Sequence, residues 1–491
     1  MEVLTTPDCP YERRIEYARA SLWLPWYAVG MVARIQGEVP PERLRFVLSK
    51  LQCLHPAPAS RVRMEADGSA WLTTQDVGEY PLEVRRRTDS RQWVEILLEQ
   101  ERVPFAFDRG PVARFFLLRG SGCSEVGIVA PHVVCDGYST AHLVYDLVAL
   151  LNDPGREVAS PSPPAAVTWQ TMPHAAHDAL LLRGLVGVAN RALRGGRMLL
   201  DQEAYTEAHR RYWERRQVGV MTFGLDIEET CRLIARCKQH GVSVTATLVA
   251  AFLLAETAVR RKDRAARRHL TLAVSVRDRM AERPGTAVGF YTSSVDLTLR
   301  TGLRSRFWEV AREGQARIYK AVGKRSQILR PLVMEGLDPR IADRLVADIA
   351  RGDWHGVMAH FYRFLRARAY ARSLDLSNIG RVEPPDLGSP FRLEALLPWP
   401  PLMPGGGITL NTMTAAGKMA GTCKFRREVL DDAAAARILD RALEYLRDVP
   451  EAGPAGAQSG ALRSGWRHEP SPHARGSARV EQNSARVLQP D

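Results

Sequence analysis

One short segment of the sequence carries the residue types needed for proton-transfer chemistry. Between Ala130 and Ser139 the chain reads APHVVCDGYS, which places His132 four residues before the pair Asp136 and Gly137. An imidazole has an ordinary pKa of about 6.5, so it is the natural general base at neutral pH. Held at the end of a rigid element, it could take a proton from a hydroxyl or amine that attacks a carbonyl, which typically contributes about 10²–10⁴ in rate. Asp136 could fix the backbone or pair with a cation, and Gly137 would leave room for a substrate channel.

Other interpretations of the same segment remain open at this point. The spacing alone favours an Asp-Gly turn at the start of a helix, beside a half-buried histidine. A metal site built on His132 and Asp136 lacks an evident third ligand nearby. A nucleophilic pair of Cys135 and His132 is disfavoured, because odd spacing on a strand directs two side chains to opposite faces.

The flanking sequence predicts the elements that would position this motif. The apolar run from Glu125 to Val134 is rich in valine and isoleucine and predicts a strand. The stretch from Thr140 to Leu151 predicts a helix with Ser139 as its N-cap. An earlier amphipathic helix is predicted between Gly37 and His55, because Leu44, Val47, Leu48, Leu51 and Leu54 recur at spacings of three and four. The Pro/Ser-rich stretch from Ser160 to Pro164 predicts a domain boundary.

The second half of the sequence also mixes helices and strands. Helix is predicted for residues 169–217, from Gly241 onward, for most of 307–371 and for 431–447. Strands are predicted at 270–276, 373–379, 391–397 and 407–413. The composition of residues 451–491, rich in Gly, Ala, Ser and Arg, predicts a disordered tail. The resulting fold class is α/β (α+β).

The length of the chain and the distribution of its charges are both consistent with a division into two halves. Its 491 residues predict two domains, because single cores stop growing near about 250–300 residues. Residues 1–165 hold 18 basic and 21 acidic side chains, whereas residues 166–450 hold 45 and 30, so the basic excess belongs to the second half. This charge can draw in a polyanion. Nucleic acid is not expected, since no helix-turn-helix, zinc finger or basic-aromatic strand pattern accompanies the charge.

Arginines and lysines concentrate in two helical stretches of the second half. They are Arg183, Arg191, Arg194, Arg197, Arg210, Arg211, Arg215 and Arg216, and then Lys320, Lys324, Arg325, Arg330, Arg363, Arg366, Arg368 and Arg372. A solvated basic face and a docking field for a polyanion are both consistent with this pattern.

The cysteines and the termini bear on the compartment. Seven cysteines without a C-x-x-C pair predict reduced thiols in a cytoplasmic protein. The first fourteen residues lack the apolar core of a signal peptide. The nearly apolar window from Val242 to Val259 contains Ser243, three threonines and Glu256 and therefore predicts a buried helix rather than a membrane span. A soluble monomer without a transmembrane segment is expected.

The segment that holds His132 and six further stretches, in order, resemble one superfamily. The segment holding His132 resembles the H-H-x-x-x-D-G motif of the superfamily that contains chloramphenicol acetyltransferase, non-ribosomal peptide condensation domains, plant acyltransferases and polyketide-associated acyltransferases. The six further stretches are Leu51–Val62, Phe107–Leu118, the helix Gly241–Ala255, the strand Ser275–Arg277 that ends in arginine, Val288–Thr292 and Ser377–Gly380. The resemblance covers most of residues 1–450.

The resemblance implies two lobes of mixed sheet and helices, 1–165 and 166–450, with a substrate tunnel at their interface. His132 would be the general base in the tunnel. Asp136 would be structural and would bind Arg277 of the second lobe, which offsets the cost of burying a carboxylate. Ser377 or Asn378 would steady the oxyanion. Gly137 and Tyr138 complete the candidate site, and no metal is implied.

The sequence departs from the family pattern at three places. Pro131 replaces the first histidine of the motif, whereas the second, which is the family's base, is retained as His132. Thr292 and Ser293 follow the aromatic residue of the fifth stretch where asparagine is common. The plant D-F-G-W-G motif is absent, which favours the bacterial condensation-like or polyketide-associated branch.

The resemblance therefore implies an acyltransferase that moves an acyl group from acyl-CoA or an acyl-carrier protein to a hydroxyl or amine acceptor, in natural-product or lipid biosynthesis. No tightly bound cofactor is expected; coenzyme A or phosphopantetheine would belong to the donor. A stand-alone peptide-type condensation enzyme is the alternative. A catalytically degenerate scaffold and a repurposed cyclisation catalyst are further alternatives.

Overall fold

The computed structural model describes most of the chain up to Arg447. The described residues are 10–158, 166–168, 170–172, 176–192, 198–260, 266–323, 333, 335–351, 372–384, 388–403 and 407–447. The predicted tail at 451–491 and the Pro/Ser-rich boundary at 160–164 lie outside them. The predicted lobe boundary at residue 165 stays a prediction.

The first half of the chain builds a five-stranded sheet and a small three-stranded sheet. The strands are β1 (Glu12–Arg14), β2 (Ala28–Gln36), β3 (Arg61–Met64), β4 (Ala70–Thr73), β5 (Leu82–Arg86), β6 (Arg114–Gly120) and β7 (Cys123–Pro131). The helices are α1 (Pro41–Leu54), α2 (Pro56–Ala59), α3 (Gln92–Glu101) and α4 (Gly137–Asn152). Strands β2 and β7 are apolar and almost wholly buried. Helices α3 and α4 pack against this sheet, and α1 packs against α4.

The second half builds a six-stranded sheet. Its strands are β8 (Val218–Leu225), β9 (Ala266–Ser275), β10 (Thr292–Thr301), β11 (Arg372–Arg381), β13 (Ile408–Ala415) and β14 (Lys418–Arg426), while β12 (Arg392–Trp399) lies elsewhere. The helices are α5 (Ala176–Ala192), α6 (Gln202–Glu214), α7 (Ile227–Gln239), α8 (Val244–Val259), α9 (Phe307–Ala321), α10 (Pro339–Arg351) and α11 (Asp432–Arg447). The strand order is β10-β9-β11-β13-β14-β8, with β11 parallel to both of its neighbours.

Helix α8 forms the centre of the second core. It is apolar around its whole circumference, which is typical of a helix buried on all sides. It packs against α9 and α11 and against the second sheet. Ser243 caps it by accepting a hydrogen bond from the backbone N–H of Ala246. Among the described residues no single helix passes a length-and-hydropathy test for crossing a membrane; α7 and α8 pass it only as a pair, bent by 98°.

The two faces of the second sheet differ in polarity. Leu374, Leu376, Leu410 and Cys423 point toward α8 and belong to the second core. Side chains alternate along a strand, so the residues between them point to the other face. On that face, two rows of polar side chains cross β11, β13 and β14. One row is Asp375, Thr409 and Lys424, and the other is Ser377, Asn411 and Thr422.

One strand from the second half completes the first sheet. Strand β12 pairs with β2 over its whole length, giving the order β12-β2-β7-β6-β5. It also packs against β13 and β14 of the second sheet. A buried ion pair lies at this crossing, where Lys424 Nζ contacts both oxygens of Glu101 at 2.6 and 2.7 Å. The indole N–H of Trp399 donates to the same carboxylate at 2.9 Å, and Lys424 Nζ also donates to the Pro400 carbonyl.

The fold class and most elements agree with the sequence-based predictions. Two element predictions are wrong. Residues 169–217 do not form one helix, because Asp201 caps a new helix, α6. Ser139 does not cap α4; Asp136 does, because its extended backbone lets the carboxylate accept the Ser139 N–H.

The cysteines depart from the prediction at one position. Cys53 is disulfide-bonded, so the prediction of wholly reduced thiols is wrong there. Cysteine spacing does not reveal which pairs approach in space. Cys123, Cys135, Cys231, Cys237 and Cys423 are free.

Candidate active site

His132 follows the last residue of β7 and precedes the turn that begins α4. Its backbone N–H donates to the Tyr27 carbonyl at 2.8 Å, which ties it to the residue just before β2. Its side chain is only 8% exposed. Pro131, which replaces the family's first histidine, is the last residue of β7 and pairs in register with Ala28. His132 therefore lies at the end of a central strand that is paired on both sides.

The His132 imidazole is held in one tautomer. Its Nδ1 lies 2.8 Å from the Cys135 carbonyl oxygen. A carbonyl can only accept, so Nδ1 carries the proton and Nε2 carries the lone pair. No described residue hydrogen-bonds Nε2. Burial lowers the pKa of His132 below its ordinary 6.5 although the nearby Asp136 carboxylate opposes this. The ring is therefore neutral at pH 7 and can accept a proton at Nε2.

Two aromatic side chains fix the plane of this ring. Tyr27 stacks on it, with the ring centroids 4.6 Å apart and an interplanar angle of 25°. Phe290, which precedes β10, meets it edge-on at 4.9 Å. Tyr17 in turn stacks on Phe290 at 5.1 Å. Sequence reasoning did not single out Tyr27 or Tyr17, because they are distant in sequence from the motif and belong to no spacing pattern.

Asp136 points away from the imidazole and into a dense hydrogen-bond network. Its Oδ1 accepts the backbone N–H and the hydroxyl of Ser139, both at 2.8 Å. Its Oδ2 accepts the backbone N–H of Tyr291 at 3.0 Å and the Thr292 hydroxyl at 3.3 Å. Burial alone would raise the pKa of Asp136, but Arg277 and these hydrogen bonds outweigh it and hold the pKa below the ordinary 3.8. The carboxylate is thus ionised and fully engaged.

Arg277 is brought to Asp136 from the second half of the chain. Its Nη2 lies 3.3 Å from Asp136 Oδ1 and donates to Ser139 Oγ at 2.7 Å. Its Nη1 donates to the carbonyls of Gly285 and Ala287 at 3.0 Å each. The guanidinium also lies over the Tyr291 ring, 4.3 Å from its centroid. This geometry suits a positioning role for Asp136 and Arg277, joining β7–α4 to β9–β10.

The Ser139 hydroxyl lies at the centre of this hydrogen-bond network, a role that the sequence motif did not indicate. Besides its contacts to Asp136 and Arg277, its Oγ lies 2.7 Å from the Gly289 carbonyl and accepts the Gly289 N–H at 3.1 Å. A capping role was predicted for it because Ser is common at helix starts. Its position in the first turn of α4, facing 288–291, directs the hydroxyl to the other half instead.

Gly137 and Tyr138, at the start of α4, also contact residues from the second half of the chain. A Cβ on Gly137 would lie 2.8 Å from Ile379 Cδ1 of β11, so only glycine permits this close approach without displacement. The Tyr138 ring lies under the Arg277 guanidinium at 5.0 Å and beside His142 at 4.5 Å. Tyr138 therefore contacts the arginine of the network and has no recorded contact with the His132 ring.

The two predicted oxyanion donors differ in their hydrogen bonding. Asn378 Nδ2 donates to Thr245 Oγ1 at 3.0 Å, and its Oδ1 accepts from the Gly380 N–H and the Thr412 hydroxyl. Ser377 is half-buried, points to the opposite face of β11, and its hydroxyl makes no hydrogen bond to a described residue. Neither side chain contacts His132 directly.

Two further candidate chemistries find no support at this site. The Cys135 thiol is fully buried, burial raises its pKa far above the ordinary value, and the residue contacts His132 through its carbonyl. No group of three or more His, Cys, Asp or Glu that could hold a metal occurs among the residues described. Two small surface pockets are lined by other residues, among them Glu256 in one and Tyr80 in the other, and not by His132.

The predicted basic field is partly neutralised in the described chain. Arg210 pairs with Glu207 and Glu214, and Arg211 pairs with Glu207, all on α6. Residues 193–197, 324–332 and 352–371, which hold many of the other cations, lie outside the described residues. A docking field for a polyanion stays a prediction.

Comparison with solved structures defines the fold. The chain is similar to the epimerization domain from the third module of tyrocidine synthetase B, with a TM-score of 0.57 at 14% identity, covering 89% of this chain and 96% of that one. It is similar to polyketide synthase associated protein 5 from Mycobacterium tuberculosis, with a TM-score of 0.56 at 14% identity and coverages of 88% and 97%. It is also similar to trichothecene 15-O-acetyltransferase from Fusarium sporotrichioides, with a TM-score of 0.59 at 12% identity and coverages of 89% and 95%.

The chain therefore has the fold shared by these condensation-type domains and the acetyltransferase, which confirms the α/β fold class predicted from the sequence. No family model matches the sequence, and no curated protein matches it either. At identities of 10–16% the structural likeness defines the fold and leaves the activity to be argued from the site.

Proposed function

We propose that this chain is an acyltransferase that moves an acyl group from a thioester to a hydroxyl or amine acceptor. The observation that carries the proposal is the neutral His132 imidazole, whose Nδ1–H is anchored on the Cys135 carbonyl and whose Nε2 has no hydrogen-bond partner among the described residues. The buried site, the fixed tautomer and the lowered pKa are what a general base at pH 7 requires.

The transfer has two proton steps at Nε2. Nε2 takes the proton of the acceptor O–H or N–H as that group attacks the thioester carbonyl carbon. The carbonyl electrons move onto oxygen and give a tetrahedral oxyanion. Collapse of this intermediate breaks the C–S bond, and the departing thiolate takes the proton back from Nε2. The products are an ester or amide and a free thiol, and the imidazole is regenerated.

The surrounding residues have distinct roles in this proposal. Tyr27 and Phe290 hold the imidazole plane and exclude water from it. Asp136, Ser139 and Arg277 hold β7–α4 against β9–β10, so they position His132 without touching the reacting atoms. Ser377 is the better oxyanion donor of the predicted pair, because its hydroxyl is free whereas the Asn378 side chain is already bonded to three partners.

The donor would be acyl-CoA or an acyl-carrier protein, and no further cofactor is required by these steps. Solved structures of this fold include a condensation domain from a polyketide synthase and the acetyltransferase above, which support a reaction of the condensation or acyl-transfer type. The proposed role in natural-product or lipid biosynthesis rests on the same structural similarity.

Replacement of His132 by alanine tests the proposal. The purified chain is mixed with a panel of acyl-CoA and acyl-carrier donors and with alcohol and amine acceptors, and products are identified by mass. Wild type should form ester or amide, and His132→Ala should lose at least about 100-fold in turnover while staying folded. His269→Ala, at an exposed histidine of β9, is the matched control and should keep full activity. Full activity of His132→Ala would refute the proposal.

A further inference from the structure

Apart from Ser377, the polar residues on the face of the second sheet opposite α8 have no role in the steps above. Thr409, Asn411, Thr422 and Lys424 lie on that face and are each less than about a tenth exposed. Burying polar side chains costs free energy unless each finds a hydrogen-bond partner. Lys424 has its partner in Glu101. The row that contains Asn411 is different.

The Asn411 side chain leaves an acceptor unmet. Asn411 is 3% exposed, and its Oδ1 is buried without a hydrogen-bond partner. On one side it pairs in register with Ser377, whose hydroxyl is also unbonded to any described residue, and on the other with Thr422. Leaving a buried carbonyl oxygen without a hydrogen bond is unfavourable, so the site is suited to a ligand that brings an N–H or O–H.

This acceptor lies close to the candidate active site. Ile379, two residues beyond Ser377 on β11, makes the close contact with Gly137 of the His132 motif. Two residues along a strand span roughly 7 Å, and neighbouring strands are about 5 Å apart. Asn411 therefore lies one strand away from β11, the strand that contacts the His132 motif, and pairs there with Ser377.

The chemistry of the donor identifies the group that fits. Coenzyme A and carrier-bound phosphopantetheine share a pantetheine arm, in which an amide N–H follows the sulfur after a short ethylene link. This N–H stands at a fixed distance from the thioester whatever the acyl chain, so one fixed acceptor can serve every donor. An acyl hydrocarbon chain would leave Asn411 Oδ1 unpaired.

We propose that Asn411 Oδ1 accepts a hydrogen bond from the pantetheine amide of the thioester donor, with Ser377 beside it at the reacting carbonyl. The proposal rests on the acyltransferase function above and names the part of the donor that this sheet recognises. It makes Asn411 a specificity-determining residue for pantetheine thioesters over simple alkyl thioesters.

The test compares two small probes that differ in one group. S-acetyl-N-acetylcysteamine carries the amide N–H, and 2-(acetylthio)ethyl acetate has an ester oxygen in its place. Their dissociation constants are measured by calorimetry in the His132→Ala chain, where turnover does not consume the probe, with and without Asn411→Leu. The amide probe should bind about tenfold more tightly than the ester probe, and Asn411→Leu should reduce this preference to near unity.

Controls separate this inference from folding and from the proposed function. Asn411→Leu should unfold at no lower a temperature than its parent, because it removes an unmet polar group. Thr222→Val, in the same row on β8, should leave the amide preference unchanged. An amide preference that survives Asn411→Leu, or no preference in the parent, would overturn the role of Asn411. Turnover by a chain that retains His132 would leave the acyltransferase proposal standing.

Discussion

Replacement of Asp136 by alanine should destabilise the protein rather than remove a reacting group. The substitution deletes a 2% exposed carboxylate that accepts four hydrogen bonds and faces the buried Arg277. Removing one partner of a buried ion pair costs about 3–5 kcal/mol, because the other charge is left uncompensated. Loss of the α4 N-cap adds about 1 kcal/mol. Total stabilities are about 5–15 kcal/mol, so the loss is a large fraction of the whole.

The effect is measured as a melting temperature and as a double-mutant cycle. With about 2 °C per kcal/mol for a chain of this size, Asp136→Ala should melt roughly 8–12 °C below wild type by circular dichroism. Arg277→Met alone should also destabilise, and the double variant should recover part of the loss, because the orphaned charge is gone. Activity per folded molecule should fall less than for His132→Ala.

The pH dependence follows from the lowered pKa of Asp136. A carboxyl group whose pKa is lower in the folded than in the unfolded protein stabilises the folded state. This stabilisation is fully present at pH values above the ordinary pKa of 3.8. This contribution is lost as the pH falls through the lowered folded value. Asp136→Asn should therefore narrow its stability gap to wild type in acid. A stable Asp136→Ala protein, or a normally stable Asp136→Asn protein with turnover as low as His132→Ala, would refute the positioning role.

Three further experiments test the site and its framework. Because burial lowers the pKa of His132, kcat/KM should rise with pH through an apparent pKa below 6.5 and be flat above pH 7; a midpoint above 7 would contradict a desolvated base. Lys424→Met should lower the free energy of unfolding by about 3–5 kcal/mol, measured by urea denaturation, because it leaves the buried Glu101 carboxylate without its partner. The double variant Lys424→Met, Glu101→Gln should recover part of this loss. An equal loss in the single and the double variant would argue against coupling between the two residues. Gly137→Val should cost about 1–3 kcal/mol in the same assay, with partial relief by Ile379→Ala, whereas a neutral Gly137→Val would disprove the tight contact.

Local patterns together with the family resemblance were sufficient to predict the fold class and the place of His132 between a strand and a helix. The apolar run before His132 predicted β7, and the periodic leucines predicted α1 within a few residues. The resemblance of Ser275–Arg277 to a strand ending in arginine anticipated the approach of Arg277 to Asp136. The strand and the helix are continuous in sequence, so periodicity records them, whereas the Arg277 contact was implied only by the resemblance.

Features that depend on two distant segments could not be predicted in this way. Tyr27 stacks on His132 only because β2 and β7 are neighbours in the first sheet. The role of Ser139 depends on where Gly289 lies, and the unmet Asn411 acceptor depends on which face of β13 looks toward the first sheet. Such relations follow from the register between strands, which a single sequence does not state.

Strand β12 makes the two halves of the chain inseparable during synthesis and folding. Residues 28–36 emerge from the ribosome more than 350 residues before their edge partner at 392–399. Until then β2 presents an open, apolar sheet edge of the kind that recruits foreign strands. A fragment that ends before residue 392 should therefore aggregate, and a peptide spanning Arg392–Trp399 should rescue it by adding in trans. A chimera that exchanges the first half of the chain for a homologous half must therefore exchange strand β12 along with it.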